Sequence, residues 1–418
     1  MRTEDTSIDL PSPFTQQPLP LWLQVPSTLA KEFTSLSPKL DPESLTARAQ
    51  RKTGLQANLS SRIGTALEVL CRSVRDEANL HWFGRVNFAN LLNTGLSQLL
   101  LINDRFERQP ELDQQPLNAP IFVTGMPRSG TTFLHRLLSS PSKTAAMPLY
   151  RLFFPNGGRF SKLNAEGLFY GWKVLSKRYG MDAIHYIRPG LPDECNFGMR
   201  LDIHSLIYWA TGSTYSYLKW CLDQDMDESY KTYRRVLQLQ QMRHPDKRLV
   251  LKCPHHLAWL PSLAKVFPEA TIVQTHREPK EIIPSECKLV TSSQGMSTDR
   301  LDWKASVDAN NHKSQTFASR AIEFAKKNTS TRVIHVRYSR LIKDPVALAK
   351  EIFDQINLNL SEEEIEEVRV FFSSNKKDKR GRNKYNLEQY GLSEDALNKD
   401  YSEYRELFLD PDAPFYGN

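Results

Sequence analysis

The sequence has few cysteines and no long apolar segment, and both features narrow the classes of protein that it can encode. Its 418 residues include five cysteines, an odd number scattered without the spacing of metal ligands. A complete disulfide framework is therefore excluded, which favours a reducing compartment. No apolar run approaches the ~20 residues that span a bilayer, and the first residues do not resemble a secretory signal. We expect a cytoplasmic protein without a transmembrane segment.

The chain also lacks a strong excess of charge of either sign. A formal net charge of +7 over 418 residues favours anionic ligands but is too small to indicate a nucleic-acid-binding protein. The hydrophobic fraction of 40% and the charged fraction of 25% are those of an ordinary globular protein with a core. The length allows one large α/β domain with an added helical region, or two domains.

One stretch near residue 120 has the pattern of a strand, a phosphate-binding loop and a helix. The apolar residues Ile121 to Val123 form the strand pattern, and apolar residues at helical spacing follow as far as Leu138. Between them, Gly125 and Gly130 let the backbone turn tightly so that successive N–H groups point inward. The N-terminus of the helix adds a partial positive charge. The stretch therefore predicts a site for an anion.

The predicted loop differs at one position from the P-loop of nucleoside triphosphatases. The spacing of Gly125, Gly130 and Thr132 is the same, but Thr131 replaces the lysine that reaches the β- and γ-phosphates. Arg128 lies inside the loop, where its planar, charged fork can bind phosphate or sulfate oxygens bidentately. The loop therefore suits an anion without a γ-phosphate.

Further strand patterns alternate with helical patterns along the rest of the chain. They occur at residues 248–252, 271–276 and 332–336. Strands separated by helices predict an α/β fold with a doubly wound parallel sheet, flanked by helical segments, whose ligands bind at the carboxyl ends of the strands. Aromatic residues are frequent between residues 159 and 247, where a minority are expected to line an acceptor pocket.

The same patterns predict how the chain is divided. Residues 1–54 are expected to form an N-terminal extension that is partly disordered or extended. Residues 55–115 form a helical lead-in and residues 119–360 a nucleotide-binding α/β core, both within one domain of residues 55–418.

Four motifs, taken together, are more specific than the loop alone. They are Pro127-Arg128-Ser129-Gly130-Thr131-Thr132, Leu251-Lys252-Cys253-Pro254-His255-His256-Leu257, Thr275-His276-Arg277-Glu278-Pro279 with Ser285, and Tyr338-Ser339-Arg340-Leu341-Ile342-Lys343-Asp344-Pro345. In this order they resemble the sulfotransferase superfamily that uses 3′-phosphoadenosine 5′-phosphosulfate (PAPS), and within it a branch common in bacteria. The resemblance covers roughly residues 55 to 410.

The resemblance implies a set of residues that hold PAPS. Those that would hold the 5′-phosphosulfate are Arg128, Ser129, Gly130, Thr131 and Thr132. Arg277 and Ser285 would hold the 3′-phosphate. The family also has a basic, Gly-containing loop late in the chain, which implies that Arg380 and Arg382 lie near the 3′-phosphate, although a charge run alone usually indicates a solvated face. No metal is expected.

The general base is the least determined part of the site. Members of the branch often carry a Trp-Glu pair shortly after the loop helix, whereas Arg151 stands here where that carboxylate is expected. The remaining candidates are Glu194, in a Pro-Asp-Glu turn that resembles an acidic motif of the branch, and His255 or His256. We rank Glu194 above His255. Lys252 and Arg128 are suited to stabilising charge during transfer.

These observations favour an enzyme that moves a sulfuryl group from PAPS to a hydroxyl or amine of a small-molecule, lipid or carbohydrate acceptor. A P-loop kinase or NTPase is the alternative enzyme, disfavoured by Thr131 and by the lack of an acidic magnesium site. A non-catalytic protein that binds the nucleotide or a sulfated ligand is the alternative from another class, and Arg151 keeps it open. The sequence identifies neither the acceptor nor the oligomeric state.

Overall fold

The structure is a computed structural model, and it describes residues 37–374, 386–413 and 415, together with residues 20, 24 and 28. Arg380 and Arg382 lie outside the described residues, so their predicted role stays a prediction. Most of the expected N-terminal extension also lies outside them.

A five-stranded parallel sheet lies at the centre of the described chain. The strands are β1 (Ile121–Gly125), β2 (Thr144–Ala146), β3 (Arg248–Lys252), β4 (Thr271–His276) and β5 (Arg332–Arg337). Their order is β2-β3-β1-β4-β5, and every pair is parallel. The chain therefore extends to both sides of β1, which confirms the predicted doubly wound sheet. The three-residue edge strand β2 was not predicted.

The sheet is buried on both faces because successive side chains of a strand point in opposite directions. Phe122, Leu251 and Ile272 belong to the larger apolar core on one face. Ile121 and Val123 belong to a second core on the other face. Two buried faces favour strands with short runs of consecutive apolar residues, and such runs made β1, β3 and β4 visible in the sequence, although most of the other buried positions of β4 are polar.

Helices cover both faces of the sheet and extend it at both ends. They are α1 (Pro42–Thr53), α2 (Ser61–Asp76), α3 (Trp82–Arg108), α4 (Thr131–Leu138), α5 (Leu149–Phe153), α6 (Ser161–Arg178), α7 (Met181–Ile184), α8 (Asn196–Met199), α9 (Ile207–Thr211), α10 (Tyr215–Leu222), α11 (Asp227–Gln241), α12 (Leu260–Val266), α13 (Pro279–Gly295), α14 (Trp303–Lys327), α15 (Tyr338–Lys343), α16 (Pro345–Gln355), α17 (Glu362–Ser374), α18 (Glu394–Asp400) and α19 (Ser402–Phe408). Among the described residues, no helix combines the length and the apolar character needed to cross a bilayer.

Helix α1 lies within the segment that was expected to be an extension. The Asp41 side chain accepts a hydrogen bond from the backbone N–H of Ser44 at 2.8 Å, which caps the start of the helix. The helix ends at Gly54, whose φ of 72° is readily adopted by glycine. Leu45 and Ala49 are buried in the larger core. This part of the extension is therefore folded, and the division into domains otherwise stays a prediction.

Buried histidines join the sheet to its neighbours. His276, the last residue of β4, has Nδ1 2.9 Å from the Tyr404 hydroxyl and Nε2 2.9 Å from His335 Nδ1. Its ring stacks on Phe408 with the centroids 4.3 Å apart. Burial lowers the pKa of His276 well below its ordinary value and that of His335 to about 4. Burial, with the nearby Lys252 charge, lowers the pKa of His135 to about 3.

We expect the fold to lose stability as the pH falls below about 6.5. These histidines have folded pKa values below the ~6.5 of an unfolded chain, so the unfolded state binds more protons in this range. Their contribution is fully present above the unfolded pKa and is lost as the pH falls toward about 4, by roughly 1.4 kcal/mol per pH unit for each histidine. Urea unfolding measured between about pH 7.5 and 5 tests this.

The exposed His312 provides a control for this experiment. His312→Asn should leave the pH dependence of the unfolding midpoint unchanged. A wild-type midpoint that stayed constant over this range would contradict the burial of neutral histidines.

Candidate active site

The loop between β1 and α4 is shaped by two glycines with positive φ. Gly125 has a φ of 142° and Gly130 a φ of 99°. A Cβ on Gly125 would lie 2.3 Å from Thr275 Oγ1, and one on Gly130 would lie 2.9 Å from the Tyr338 ring. Both glycines are therefore needed for conformation and for space, because the loop lies directly against the ends of β4 and β5.

Ser129 is buried inside the loop and holds its shape. Its hydroxyl donates to the Met126 carbonyl at 2.5 Å and lies 2.6 Å from Thr275 Oγ1. Its backbone N–H also bonds to the Met126 carbonyl, at 3.1 Å. Both donors therefore make bonds within the protein, and the contact of Ser129 with the 5′-phosphosulfate stays a prediction.

The first turn of α4 is open to an anion. The helix begins after Gly130 without a side-chain cap, so its first N–H groups have no partner within the helix. Thr131 is buried and Thr132 is half-buried at this end. N–H groups that lack a partner within the helix, together with the partial positive charge of the helix dipole, fit a phosphate or sulfate group.

Arg128, Arg277 and Ser285 come together beside this loop. Arg128 has a φ of 69°, which is uncommon for a residue other than glycine. Its Nε donates to Ser285 Oγ at 3.0 Å, and its Nη1 donates to the Ile184 carbonyl at 3.0 Å. Arg277 Nη1 donates to the Arg128 carbonyl at 3.3 Å, and its guanidinium lies 4.1 Å from the Tyr338 ring centroid. The motifs predicted to hold two anionic groups therefore meet.

The sheet order explains why they meet. Because β1 lies between β3 and β4, the carboxyl ends of these strands, and that of β5 beyond them, lie along one edge. The residues at these ends are Gly125, Lys252, Arg277 and Tyr338. A parallel sheet of this kind binds ligands at this edge, where the strand order reverses.

A buried ion pair lies at the end of β3. Lys252 Nζ donates to Glu194 Oε1 at 2.7 Å, and Asn196 Nδ2 donates to Glu194 Oε2 at 3.2 Å. Burial acts to raise the pKa of Glu194. The charge of Lys252, helped by His185 and His255, acts more strongly in the opposite direction, and the pKa is lowered to about 2. The Lys252 side chain is 1% exposed and that of Glu194 is 16% exposed. Glu194 is therefore an ionised carboxylate that reaches open space.

Pairing between two distant segments brings residues 189–191, which lie shortly before Glu194, against the start of α5, the helix that contains Arg151. The N–H groups of Leu149 and Tyr150 donate to the carbonyls of Leu191 and Pro189, both at 2.9 Å. Arg151 lies against the Tyr150 ring, 4.9 Å from its centroid, and is absent from the wall of the cavity described below.

Glu194 faces a large cavity that adjoins the loop. The cavity has an empty volume of about 1140 Å³, part of it open to solvent. Much of its wall is apolar or aromatic and includes Phe153, Leu168, Phe169, Trp172, Phe197 and Trp209. Pro127, the residue before Arg128, also forms part of the wall. An apolar cavity with few polar groups is typical of a small-molecule site, and the expectation that some aromatics line it agrees with this wall.

The two histidines after β3 lie in different surroundings. His255 lines the cavity, with Nδ1 3.5 Å from Asn196 Nδ2. Burial, together with the charges of Lys313 and Lys252, lowers its pKa to about 4 despite the opposing effect of Glu194. His256 is in the core, where Nδ1 lies 2.7 Å from the Tyr230 hydroxyl. Of the two, only His255 remains a candidate base.

A second buried ion pair in the cavity wall was not predicted. Lys313 Nζ donates to Glu286 Oε1 and, at 2.9 Å, to Asn310 Oδ1. Ser314 Oγ donates to Glu286 Oε2 at 2.9 Å. The pair joins two separate helices, α13 and α14, so no local sequence pattern pairs Glu286 with Lys313. The one signal was that Glu286 directly follows the predicted ligand Ser285.

The fold and the site define an α/β protein with a P-loop-like anion site at the switch point of a parallel sheet. The chain belongs to the Sulfotransferase family, whose model matches residues 120–362. No curated protein matches the chain.

Two solved structures are similar to it over most of its length. Sulfotransferase STF1 from Mycobacterium tuberculosis H37Rv has 26% identity and a TM-score of 0.72, covering 88% of this chain and 99% of its own. Sulfotransferase STF9 from Mycobacterium avium has 24% identity and a TM-score of 0.76, covering 91% of this chain and 98% of its own. The similarity to STF9 is a similarity of fold.

We expect Glu194 and Lys252 to depend on each other for stability. Glu194→Gln leaves a buried ammonium without a counter-ion and should cost on the order of 3–5 kcal/mol of unfolding free energy. Lys252→Met should cost less because Glu194 still reaches the cavity. The double variant should recover most of the loss. Urea unfolding of all four proteins gives the coupling energy, and losses that simply add would contradict the pairing.

Proposed function

We propose that the protein is a PAPS-dependent sulfotransferase that transfers a sulfuryl group to a hydroxyl or amine of an acceptor bound in the cavity. The observation that carries this proposal is the position of one short loop. Arg128 belongs to the anion site through its bond to Ser285, while the adjacent Pro127 forms part of the cavity wall. A donor and an acceptor bound at these places would meet at the loop.

The residues present fit the donor, because the site offers N–H groups and cations to two separate anions. The open turn of α4, with Thr131, Thr132 and Arg128, would hold the 5′-phosphosulfate. Arg277 and Ser285 would hold the 3′-phosphate. Arg277 is paired with the half-exposed Glu281 at 2.7 Å, a contact that a phosphate could replace.

PAPS supplies an activated sulfuryl group, and the protein's task is to position the acceptor and to stabilise charge. Arg128 and Lys252 bring two cations to the region between the loop and the cavity. The apolar wall excludes water, which strengthens these interactions and protects the donor from hydrolysis.

Glu194 is proposed as the general base and His255 as the second candidate. Each can accept a proton at neutral pH, because Glu194 is ionised and the lowered pKa of His255 leaves it neutral. A carboxylate with a pKa of about 2 is a weak base. The positive charge of Lys252 is the main cause that lowers the pKa of Glu194.

The alternative functions have less support. A kinase or NTPase would need a cation for the γ-phosphate at the position that Thr131 occupies. Within the described ranges, no three His, Cys, Asp or Glu side chains converge to hold a metal ion, and the absence of a metal requirement stays a prediction. The non-catalytic alternative was based on Arg151, which the cavity wall does not include.

We expect the donor site to prefer adenosine 3′,5′-bisphosphate (PAP) to ATP. Arg277→Ala should weaken PAP binding by about 1.5–3 kcal/mol, the usual contribution of a hydrogen bond to a charged group, which is roughly tenfold to a hundredfold in Kd. Isothermal titration calorimetry measures the Kd of PAP and the Kd of ATP for the wild type and for the variant. Arg369→Ala, at an exposed arginine on α17, serves as the matched control and should bind PAP like the wild type.

Two results of this titration would count against the assignment. One is ATP binding as tight as that of PAP. The other is an equal effect of Arg277→Ala on both nucleotides, which would mean that Arg277 does not address the 3′-phosphate.

We expect Glu194→Gln to lower turnover by on the order of 10²–10⁴-fold while the Kd for PAP stays nearly unchanged, because it removes a proton acceptor and leaves the donor site intact. Transfer of labelled sulfate from PAPS to a metabolite extract measures turnover. The variant is assayed under conditions in which its fold is intact. Wild-type turnover in Glu194→Gln, with turnover lost in His255→Ala, would identify the histidine as the base.

A further inference from the structure

Large hydrophobic side chains are rarely exposed in the described chain, and several that are exposed lie on one short segment. Phe160 is 58% exposed, Leu163 64% and Tyr170 63%. The other large exposed hydrophobic residues of the described chain, Met242, Ile342 and Val370, are far apart in the sequence. Residues 159–178, which we call the outer segment, consist of α6 and the two residues before it.

The three side chains form one stripe along the outer segment. Residues three and seven positions apart lie on the same side of a helix, and Leu163 and Tyr170 have this second spacing. Phe160 precedes Leu163 by three positions. Gly167, between Leu163 and Tyr170, is also exposed and adds no side chain to the stripe. The exposed Glu166 lies between Leu163 and Tyr170 on this face, so the three apolar side chains are grouped on one side of the segment without forming an unbroken strip.

Basic side chains surround the apolar stripe. The exposed basic residues of the outer segment are Arg159, Lys162, Lys173, Lys177 and Arg178. Glu166 is its one acidic residue. A helix with an apolar stripe and a strongly basic surround has the composition of a helix that lies in the interface of an anionic membrane.

The inner face of the same helix belongs to the cavity. Leu168, Phe169 and Trp172 form part of the cavity wall that Glu194 shares. Leu168 also borders a second, more open recess, together with Phe160 and Leu163. The helix therefore separates the proposed acceptor site from the exposed stripe by one layer of side chains.

We propose that the outer segment rests on an anionic lipid surface and that the acceptor is an amphiphile reached from that surface. Phe160, Leu163 and Tyr170 enter the boundary between headgroups and acyl chains, and the basic residues contact lipid phosphates. The polar end of the amphiphile reaches Glu194, and its apolar part contacts the aromatic wall. The acceptor class rests on the proposed function, whereas the lipid contact does not.

The lipid contact is tested by sedimentation of the full chain with vesicles. Vesicles of phosphatidylglycerol mixed with phosphatidylcholine should bind the protein at least tenfold more tightly than phosphatidylcholine alone, and this binding should weaken as salt is added. The triple variant F160S/L163S/Y170S should lose at least tenfold in affinity. The control M242S/I342S/V370S removes three other exposed apolar side chains, which are 44%, 47% and 56% exposed, and should bind like the wild type.

Absence of binding to anionic vesicles would overturn the proposal, as would equal losses in the two triple variants. A wild-type dimer that F160S/L163S/Y170S converts to a monomer, without an effect on vesicles, would assign the stripe to a second copy of the chain instead. Sedimentation needs no sulfate donor, so this result is independent of PAP binding.

The acceptor class is tested by the location of transferred label. Labelled sulfate from PAPS should appear in the lipid fraction of vesicles made from a cell lipid extract. Label that appears only in water-soluble metabolites would overturn the amphiphile and leave sulfuryl transfer intact. No transfer to either fraction, with PAP bound, would count against the proposed function itself.

Discussion

The site depends on the close contact between the loop after β1 and the ends of the neighbouring strands. The loop lies so near β4 and β5 that neither Gly125 nor Gly130 has room for a side chain. This contact lets the Arg277 guanidinium reach the carbonyl of Arg128. It also brings the Ser285 hydroxyl to the Nε of Arg128. A larger residue at either glycine would push the loop away from these groups, so the contacts among Arg128, Arg277 and Ser285 depend on the packing of the loop against the neighbouring strands.

The polar groups of the cavity are costly for the fold. Lys252 with Glu194, and Lys313 with Glu286, are ion pairs in which at least one partner is fully buried. The cost of taking such charges out of water can exceed what the pair regains, and apolar replacements of buried ion pairs are often neutral or stabilising. Charged groups retained at that cost in a cleft are typical of functional sites.

Local patterns were enough to predict much of the fold and to select residues of the proposed donor site that the structure brings together. The apolar runs of β1, β3 and β4 and the glycines at 125 and 130 are features of short stretches of sequence. The strand order then brings Arg128 and Arg277 together. The parts that were missed depend on contacts between distant segments. The Glu286–Lys313 pair joins two helices, and residues 149–150 pair with residues 189–191 in a region where Glu194, and not Arg151, forms part of the cavity wall. The inward direction of the Ser129 hydroxyl depends on Thr275.

The central claim is that one loop holds the donor against the acceptor cavity, and a crystal structure of the protein with bound PAP tests it most directly. The account predicts the 5′-phosphate at the first turn of α4, the 3′-phosphate within hydrogen-bonding distance of Arg277 and Ser285, and the 5′-phosphate end of the nucleotide directed toward Glu194 and Lys252. A nucleotide bound elsewhere, or bound with its 3′-phosphate in the turn of α4 and its 5′-phosphate directed away from the cavity, would contradict the account.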